Sequence, residues 1–356
     1  MTGTRPILII GGGLAGSEAA LQLARRGLPV ELWEMRPVRE TPAHKTAHLA
    51  EIVCSNSFGS ADLFSANGLL MAEGLRLGSE LLRIAQEVAV PAGMALAVDR
   101  VAFGEAVTAR VEAEPLIHIQ RGEITEISLD RLALLATGPL TTQSLMDQLA
   151  ALLGSEGMYF FDAISPSVML DSLDLSQGLF WAGRGDTGGD DQAAGDYLNV
   201  PLDKAQYEQF WHELVHAERV AIKDFEPDKI FQGCQPVEII AQSGPQSLRY
   251  GPMKPLGLTD PRTGRWPYAV VQLRREERNL ETLNLVGFQT RLTWGEQKRV
   301  FGMLPGFANA QWSRLGSMHK NFYIDSPRHL NPDLSLRKHP DLFLAGQITG
   351  SEGYLE

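Results

Sequence analysis

Apolar and polar positions alternate in blocks through the first part of the chain. Residues 6–10 (PILII) form a short, wholly apolar run, which is typical of a strand buried on both faces of a parallel sheet. Residues 17–26 are rich in Ala, Leu and Glu and predict a helix. A second strand is predicted over residues 29–33 (PVELW). This order of strand, helix and strand indicates a βαβ unit and therefore an α/β fold.

The turn between the first strand and the helix is rich in glycine. Residues 11–16 read GGGLAG, a G-x-G-x-x-G pattern. Glycines there allow a tight turn and a close approach of the backbone to a pyrophosphate, which binds at the N-terminus of the helix. Glu34 ends the second strand, where an acid accepts hydrogen bonds from ribose hydroxyls. The sequence therefore predicts a dinucleotide site.

Two later apolar runs also end in glycine, and they favour FAD over NAD as the dinucleotide. They are residues 132–140 (LALLATGPL) and 341–350 (DLFLAGQITG). Flavin-binding Rossmann domains resemble this arrangement, because their chain leaves and returns so that three strand ends line the cofactor. The alternative is two ordinary strands that stop at glycines. The predicted cofactor-binding residues are Gly11, Gly12, Gly13, Leu14, Ala15, Gly16, Glu34, Arg36, Thr137, Gly138, Gly346 and Gln347.

The predicted fold class is α/β, a Rossmann-type FAD-binding domain with an inserted α+β domain. The chain of 356 residues is long enough for about two domains. We place the first part of the FAD-binding domain at residues 1–155 and the insertion at 156–325. Residues 326–356 are predicted to return to the FAD-binding domain.

Charge is distributed unevenly along the chain. The net charge of −11 argues, taken alone, against a nucleic-acid partner. Residues 241–338, however, hold 15 basic and 7 acidic residues, with aromatic residues between them. This stretch is either a solvated face with core aromatics or an RNA-binding surface. The candidate phosphate contacts are Arg274, Arg275, Arg278, Arg291, Lys298 and Arg299.

Residues 212–216 (HELVH) match the zinc-protease pattern H-E-x-x-H. On a helix, His212 and His216 would share one face, with Glu213 as general base. Such a site also needs a third ligand and a cleft, and Glu238 is the only acid that we can nominate. We interpret the segment as a solvated surface helix and predict no metal site.

Several segments together identify the chain as a member of the folate- and FAD-dependent tRNA (uracil-5-)-methyltransferase family, TrmFO. The cysteine-bearing segments and GPMKPLGLTDPRTG are the specific ones, whereas GGGLAGSEAA is shared with other dinucleotide proteins. The similar segments run through nearly the whole chain: residues 11–20, 34–37 (EMRP), 41–44 (TPAH), 50–57 (AEIVCSNS), 91–100 (PAGMALAVDR), 136–141 (ATGPLT), 231–239 (FQGCQPVEI), 251–264, 270–274 (VVQLR), 284–290 (NLVGFQT) and 351–356 (SEGYLE).

The resemblance implies that NADH or NADPH reduces FAD and that 5,10-methylenetetrahydrofolate donates one carbon. The carbon is delivered to C5 of the T-loop uracil, position 54 of tRNA, giving 5-methyluridine. That uracil is packed in the tRNA elbow, so we expect the enzyme to extrude it. The implied partners are tRNA and folate, with no membrane and no evident protein partner. The alternatives are the same chemistry on a ribosomal RNA uracil, or a flavin-dependent oxidoreductase of small molecules.

The chain has only two cysteines, Cys54 and Cys234, which indicates a reducing compartment, here the cytoplasm. Uracil C5 becomes nucleophilic once a thiolate adds to C6, and a base must then remove the C5 proton. We assign Cys234 as the C6 nucleophile because it opens the basic stretch, and Glu238 as the base. Cys54 resembles the second reactive cysteine of the family, near the flavin and folate, although the two roles could be reversed.

The family continues for several tens of residues beyond SEGYLE, beginning with a helix whose N-terminus faces the flavin. We therefore expect FAD retention to depend on a segment that follows residue 356. Gln347 stands where many flavoproteins carry an acid, which we interpret as a family variant.

Overall fold

The computed structural model describes residues 5–154, 158–183, 195–221 and 235–355. The chain folds into two compact units. Unit 1 comprises residues 1–89, 98–160 and 320–356, and unit 2 comprises residues 90–97 and 161–319. The domain prediction did not anticipate that the short segment 90–97 groups with unit 2.

The first half of the chain contains these elements: β1 (Ile7–Ile10), α1 (Leu14–Arg25), β2 (Val30–Glu34), β3 (Ser57–Ser60), α2 (Ala66–Leu77), α3 (Glu80–Glu87), β4 (Ala89–Val90), β5 (Ala95–Val98), α4 (Arg100–Glu112), β6 (Ile117–Arg121), β7 (Ala133–Leu135), α5 (Gln143–Leu153), β8 (Met158–Ala163), β9 (Ser167–Met169) and β10 (Phe180–Trp181). The second half contains β11 (Tyr197–Leu202), α6 (Lys204–His216), α7 (Val237–Gln242), α8 (Ser247–Tyr250), β12 (Ala269–Arg275), β13 (Thr282–Leu285), α9 (Trp294–Phe301), β14 (Trp312–Arg314), β15 (Met318–Tyr323), α10 (Ser326–His329), β16 (Ser335–Leu336) and β17 (His339–Leu344).

Unit 1 contains a six-stranded sheet in the order β16-β17-β7-β1-β2-β6. All neighbouring strands are parallel except β16, which runs antiparallel to β17. The late strand β17 lies beside β7, so the chain returns to the sheet that its first strands began. This arrangement confirms the predicted Rossmann-type α/β fold.

The central position of β1 explains its apolar sequence. Leu8, Ile9 and Ile10 are nearly inaccessible because the strand has a neighbour on each side and residues packed on both faces. Helix α1 begins at Leu14, three residues before the predicted start, with Gly13 as its N-cap. The helix therefore starts directly at the glycine turn, which places its N-terminus at the carboxyl end of β1.

Unit 2 is built on a six-stranded sheet, β10-β11-β12-β13-β9-β14, in which all neighbours are antiparallel. Helix α6 packs on the core through Tyr207, Phe210 and Leu214, spaced three and four residues apart on one face. Its N-terminus is closed by a capping box between Asp203 and Gln206. The sheet and this helix bury a single apolar cluster that also contains Phe288 and Phe301.

No helix within the described ranges is both long and apolar enough to cross a membrane.

Candidate functional site

The glycine turn after β1 brings backbone atoms closer together than any side chain would permit. Gly11 has a φ of +106°, and a Cβ atom there would lie 2.4 Å from the Ala136 carbonyl oxygen. A Cβ at Gly16 would lie 1.9 Å from the Gly11 carbonyl oxygen. Glycine at these two positions therefore lets α1 and the turn after β7 close around the end of β1.

The N-terminus of α1 is open on the side where an anion would bind. Gly13 provides no side-chain cap, and the position of a Cβ on Gly13 has nothing within 4 Å. Unpaired N–H groups and the positive end of the helix dipole favour a phosphate at such a place. The backbone geometry thus fits the predicted pyrophosphate position.

Glu34, at the end of β2, is buried and accepts hydrogen bonds through both oxygens. Oε2 accepts from the Gly12 N–H at 3.0 Å, and Oε1 accepts from the N–H and Nε of Arg36 at 3.0 and 2.9 Å. Burial acts to raise the pKa of Glu34, but the Arg36 guanidinium and these N–H groups hold the pKa below its ordinary value of 4.5. Glu34 is therefore a carboxylate at neutral pH, with remaining lone pairs for a ribose hydroxyl.

Arg36 links Glu34 to a second carboxylate, Glu51, which the sequence did not single out. Arg36 Nη1 lies 2.9 Å from Glu51 Oε2, and the Arg36 side chain is 4% exposed. Glu51 also accepts hydrogen bonds from the N–H groups of Lys45 and Thr46. The turn that follows β2 is consequently held by a buried cation between a buried carboxylate, Glu34, and a partly buried one, Glu51.

A cavity of about 800 Å³ opens in unit 1 beside these groups. Its volume lies in the range of roughly 300–1,000 Å³ that is usual for ligand and cofactor sites. Gly12 and Gly16 are not part of its lining: a Cβ at Gly12 would meet the Leu49 and Glu34 side chains, and Gly16 packs on the Gly11 carbonyl. Ten of the twelve predicted cofactor residues line it: Gly11, Gly13, Leu14, Ala15, Glu34, Arg36, Thr137, Gly138, Gly346 and Gln347.

The ends of β1, β2, β7 and β17 all contribute to this lining, so the residues present fit an adenine dinucleotide. Thr137 and Gly138 belong to the turn after β7, where the Thr137 and Thr141 hydroxyls lie 2.6 Å apart. Gly346 follows β17 and approaches Ala15 of α1. Thr41 and His44 also line the cavity, with His44 Nδ1 2.6 Å from Thr41 Oγ1.

Cys54 lies at the end of a segment whose earlier residues, Ile52 and Val53, line the cavity. Cys54 itself is partly buried and is not a lining residue. Its N–H donates to the Tyr354 hydroxyl at 3.2 Å, and Arg100 Nη1 donates to the Ile52 carbonyl at 2.7 Å. Cys54 therefore follows directly on two residues that line the cavity, and its catalytic role stays a prediction.

The two remaining catalytic candidates belong to the other part of the chain. Cys234 lies outside the described residues. Glu238, in α7, is fully buried and accepts hydrogen bonds from Thr290 Oγ1 and the Arg291 N–H, each at 2.9 Å. Burial raises the pKa of Glu238 against the opposing effect of these donors. Its geometry is that of a structural carboxyl group that fixes the chain at residues 290–291, and it does not support the predicted base role.

The six predicted phosphate contacts differ sharply in exposure. Arg274 is only 7% exposed, because it lies in β12 between two strands, and Arg275 stacks on Trp181 with its Cζ atom 4.9 Å from the ring centroid. Burial lowers the pKa of both Arg275 and Arg291. Arg275 and Arg291 are partly buried, so of the six only Arg274 is an interior residue. Exposed positions are held by Arg278, Lys298 and Arg299.

In the H-E-x-x-H segment of α6, His212 and His216 are exposed and Glu213 is partly exposed, whereas Leu214 packs on the core. Glu213 pairs with Arg299, and the rings of His212 and His216 lie 4.4 Å apart. Within the part of the chain that the structure describes, no group of three or more His, Cys, Asp or Glu residues is arranged to hold a metal ion.

Comparison with known proteins identifies the family to which this chain belongs. The family model described as glucose inhibited division protein A matches residues 6–356. A protein of Desulfitobacterium hafniense (strain Y51), named methylenetetrahydrofolate--tRNA-(uracil-5-)-methyltransferase TrmFO, is 51% identical over 98% of this chain and 79% of its own length. The protein of the same name from Koribacter versatilis (strain Ellin345) is 52% identical over 98% of this chain and 78% of its own length. This chain belongs to the TrmFO family.

A solved structure shows the same fold at low sequence identity. Aquifex aeolicus GidA superimposes with a TM-score of 0.69 and 15% identity, over 98% of this chain and 60% of that one. At this identity the likeness concerns the fold alone. The resemblance drawn from the sequence motifs is confirmed, and the TrmFO relatives are longer than this chain.

We expect Glu34→Gln to destabilise the protein by about 3 kcal/mol at pH 7, because it leaves Arg36 buried with one carboxylate fewer. Since the folded-state pKa of Glu34 is lowered, its stabilising contribution is complete above the unfolded value of 4.5 and is lost as the pH falls through the folded-state pKa. The difference between wild type and variant in urea unfolding should therefore shrink below pH 4.5.

Glu31→Gln provides the matched control, because Glu31 lies in the same strand and pairs with Arg131 at a less buried position. We expect it to cost about 1 kcal/mol. Equal losses in the two variants would contradict a special role for the buried Glu34–Arg36 pair.

Proposed function

We propose that this protein is a methylenetetrahydrofolate- and FAD-dependent tRNA methyltransferase that converts the T-loop uracil at position 54 to 5-methyluridine. The observation that carries the proposal is that a member of the TrmFO family has a cavity of about 800 Å³ lined by the ends of β1, β2, β7 and β17. We assign the cytoplasm as its compartment, in keeping with a chain that has only two cysteines.

Bound in this cavity, FAD would supply the electron transfer that turns the one-carbon unit of methylenetetrahydrofolate into a methyl group, with NADH or NADPH as the source of electrons. The chain's own residues bind and orient the cofactor. We assign the Glu34 carboxylate to a ribose hydroxyl and the N-terminus of α1 at Gly13 to the pyrophosphate, which is supported by their geometry. Gly346, which follows β17 late in the sequence, lines the same cavity.

We assign the remaining chemical roles to the two cysteines. We assign Cys234 as the thiolate that adds to uracil C6, since a covalent adduct makes C5 nucleophilic. Cys54 is assigned to the cofactor side, because its segment borders the cavity through Ile52 and Val53. Glu238 is not retained as the base, because both of its oxygens already accept hydrogen bonds in a fully buried position.

The proposed RNA surface is smaller than the basic stretch suggested. Lys298 is exposed on α9, and Trp294, one helical turn before it, is 68% exposed. Residues four apart share one helix face, so a cation for a phosphate lies beside an aromatic ring for a base. Arg278 is exposed in the turn between β12 and β13. We therefore retain Arg278 and Lys298 on the ground of exposure, and place Arg299 after Lys298 on α9 because Arg299 pairs with Glu213 and Glu296.

The direct test supplies the purified protein with FAD, NADH, methylenetetrahydrofolate and an unmodified tRNA transcript. We expect 5-methyluridine at position 54 by mass spectrometry of nuclease digests, and no product from a transcript with cytidine at that position. Product from ribosomal RNA but not from tRNA would support the ribosomal alternative. NADH oxidation without RNA product would support a small-molecule oxidoreductase.

We expect Cys234→Ala to abolish both methylation and the covalent complex with tRNA that contains 5-fluorouracil, because the thiolate that attacks C6 is gone. The complex is scored by its slower migration in a denaturing gel. Cys54→Ala should retain the complex while losing methylation. The opposite pattern would exchange the roles of the two cysteines.

We expect the double reversal Arg278→Glu and Lys298→Glu to raise the KM for tRNA at least tenfold without changing NADH-dependent reduction of bound FAD. The reason is the loss of phosphate contacts. Each lost contact should also reduce, by about one, the steepness with which the logarithm of the binding constant falls with the logarithm of salt concentration. Lys204→Glu is the control, since Lys204 is exposed in unit 2 but outside the basic stretch. An equal fall in tRNA methylation and in NADH-dependent flavin reduction would show that the substituted positions are structural.

A further inference from the structure

The backbone around Cys54 is held by a side chain from the far end of the chain. The Tyr354 hydroxyl accepts a hydrogen bond from the Cys54 N–H at 3.2 Å and donates one to the Ser55 carbonyl at 2.8 Å. These bonds span 300 and 299 residues of sequence. One hydroxyl therefore binds the main chain at the Cys54 N–H and again at the carbonyl of the next residue, Ser55.

Arg100 provides a second attachment for the segment that carries Cys54. At the first position of α4, its Nη1 donates to the Ile52 carbonyl at 2.7 Å and its Nη2 to the Cys54 carbonyl at 3.4 Å. Asn56 then ties the segment to Val98, whose carbonyl accepts from Asn56 Nδ2 at 2.9 Å and whose N–H donates to the Asn56 carbonyl at 2.9 Å. Val98 and Arg100 lie together at the junction of β5 and α4, whereas Tyr354 comes from the C-terminal segment of unit 1.

Tyr354 also connects this segment to the cofactor cavity. Its side chain lines the cavity, as do Ile52 and Val53. Its ring packs on Phe58, with centroids 5.5 Å apart, and Phe58 packs in turn on Phe103 of α4 at 5.4 Å. The hydroxyl is thus presented to Cys54 by a ring that is fixed independently by apolar contacts.

We propose that Tyr354 and Arg100 are positioning residues that hold the Cys54 backbone in one conformation beside the cofactor cavity. Four hydrogen bonds to main-chain atoms of residues 52–55 remove the freedom that a loop cysteine otherwise has. A thiol held in this way is presented at one place for each catalytic cycle, rather than sampling several. The proposal rests on the proposed function only in giving Cys54 a catalytic task.

The test measures Cys54 itself and needs neither tRNA nor folate. Cys54 is the only cysteine left in a Cys234→Ser background, so its rate of alkylation by iodoacetamide reports how often the segment opens. We expect Tyr354→Phe to raise this rate about tenfold, because two hydrogen bonds are lost while the ring contact with Phe58 is kept. The midpoint of the pH–rate profile should stay unchanged.

Two further variants separate positioning from general loosening. Arg100→Gln should raise the alkylation rate at least threefold. It tests the same attachment independently of Tyr354→Phe, should that variant fail to fold. Tyr159→Phe is the matched control, since the Tyr159 hydroxyl contacts the Met146 sulfur at 3.9 Å and not the Cys54 segment. It should leave the rate at the wild-type value.

Wild-type rates in both Tyr354→Phe and Arg100→Gln would overturn the proposal. So would an equal acceleration in Tyr159→Phe, which would show that any lost hydroxyl loosens unit 1. Because alkylation is measured without RNA, a protein that opens as expected but makes no 5-methyluridine would refute the methyltransferase function and leave the positioning role standing.

Discussion

The cofactor region of this protein depends on one buried ionic arrangement, in which the Arg36 guanidinium lies between the carboxylates of Glu34 and Glu51. A buried charge is tolerated only when partners satisfy it, so the three side chains require one another. Glu34 also receives the Gly12 N–H, which joins the glycine turn to the end of β2. Glu51 receives N–H groups from the loop after β2 and lies three residues before Cys54. The glycine turn, the end of β2 and Glu51 are therefore parts of one network, and the segment that leads to Cys54 begins at Glu51.

The second unit shows why local charge in a sequence does not define a binding surface. Residues 241–338 are strongly basic, but strand β12 lies inside an antiparallel sheet and alternates its side chains between two covered faces. Arg274 is buried there, opposite Tyr197 of β11. In the part of this stretch that belongs to unit 2, residues 241–319, the exposed cations lie in turns and loops and on α9. Net charge by segment located the basic residues along the sequence, whereas position in the fold decides which of them meet solvent.

Several elements followed directly from local sequence. The apolar run of β1, the glycines after it and the acid at position 34 lie within 30 residues, so their spacing constrains their geometry through the strand and helix that connect them. Strand β17, which is followed by glycine, was equally predictable from the sequence, since an apolar run predicts a buried strand wherever it occurs. Family resemblance then supplied the chemistry that spacing alone does not specify. The residues missed were Glu51, Arg100 and Tyr354, which carry no periodic signal and act through partners distant in the chain.

By itself, the sequence determined the Rossmann-type unit, the cofactor turn and the family to which the chain belongs, because these depend on short-range patterns and on segments of specific composition. Only the tertiary structure decided that Glu238 is a buried structural acid, that Arg274 is an interior residue and that Tyr354 reaches back 300 positions to Cys54. Burial and long-range hydrogen bonds arise when distant segments pack together. The physical environment of a side chain is therefore a property of the folded chain and not of its neighbours in sequence.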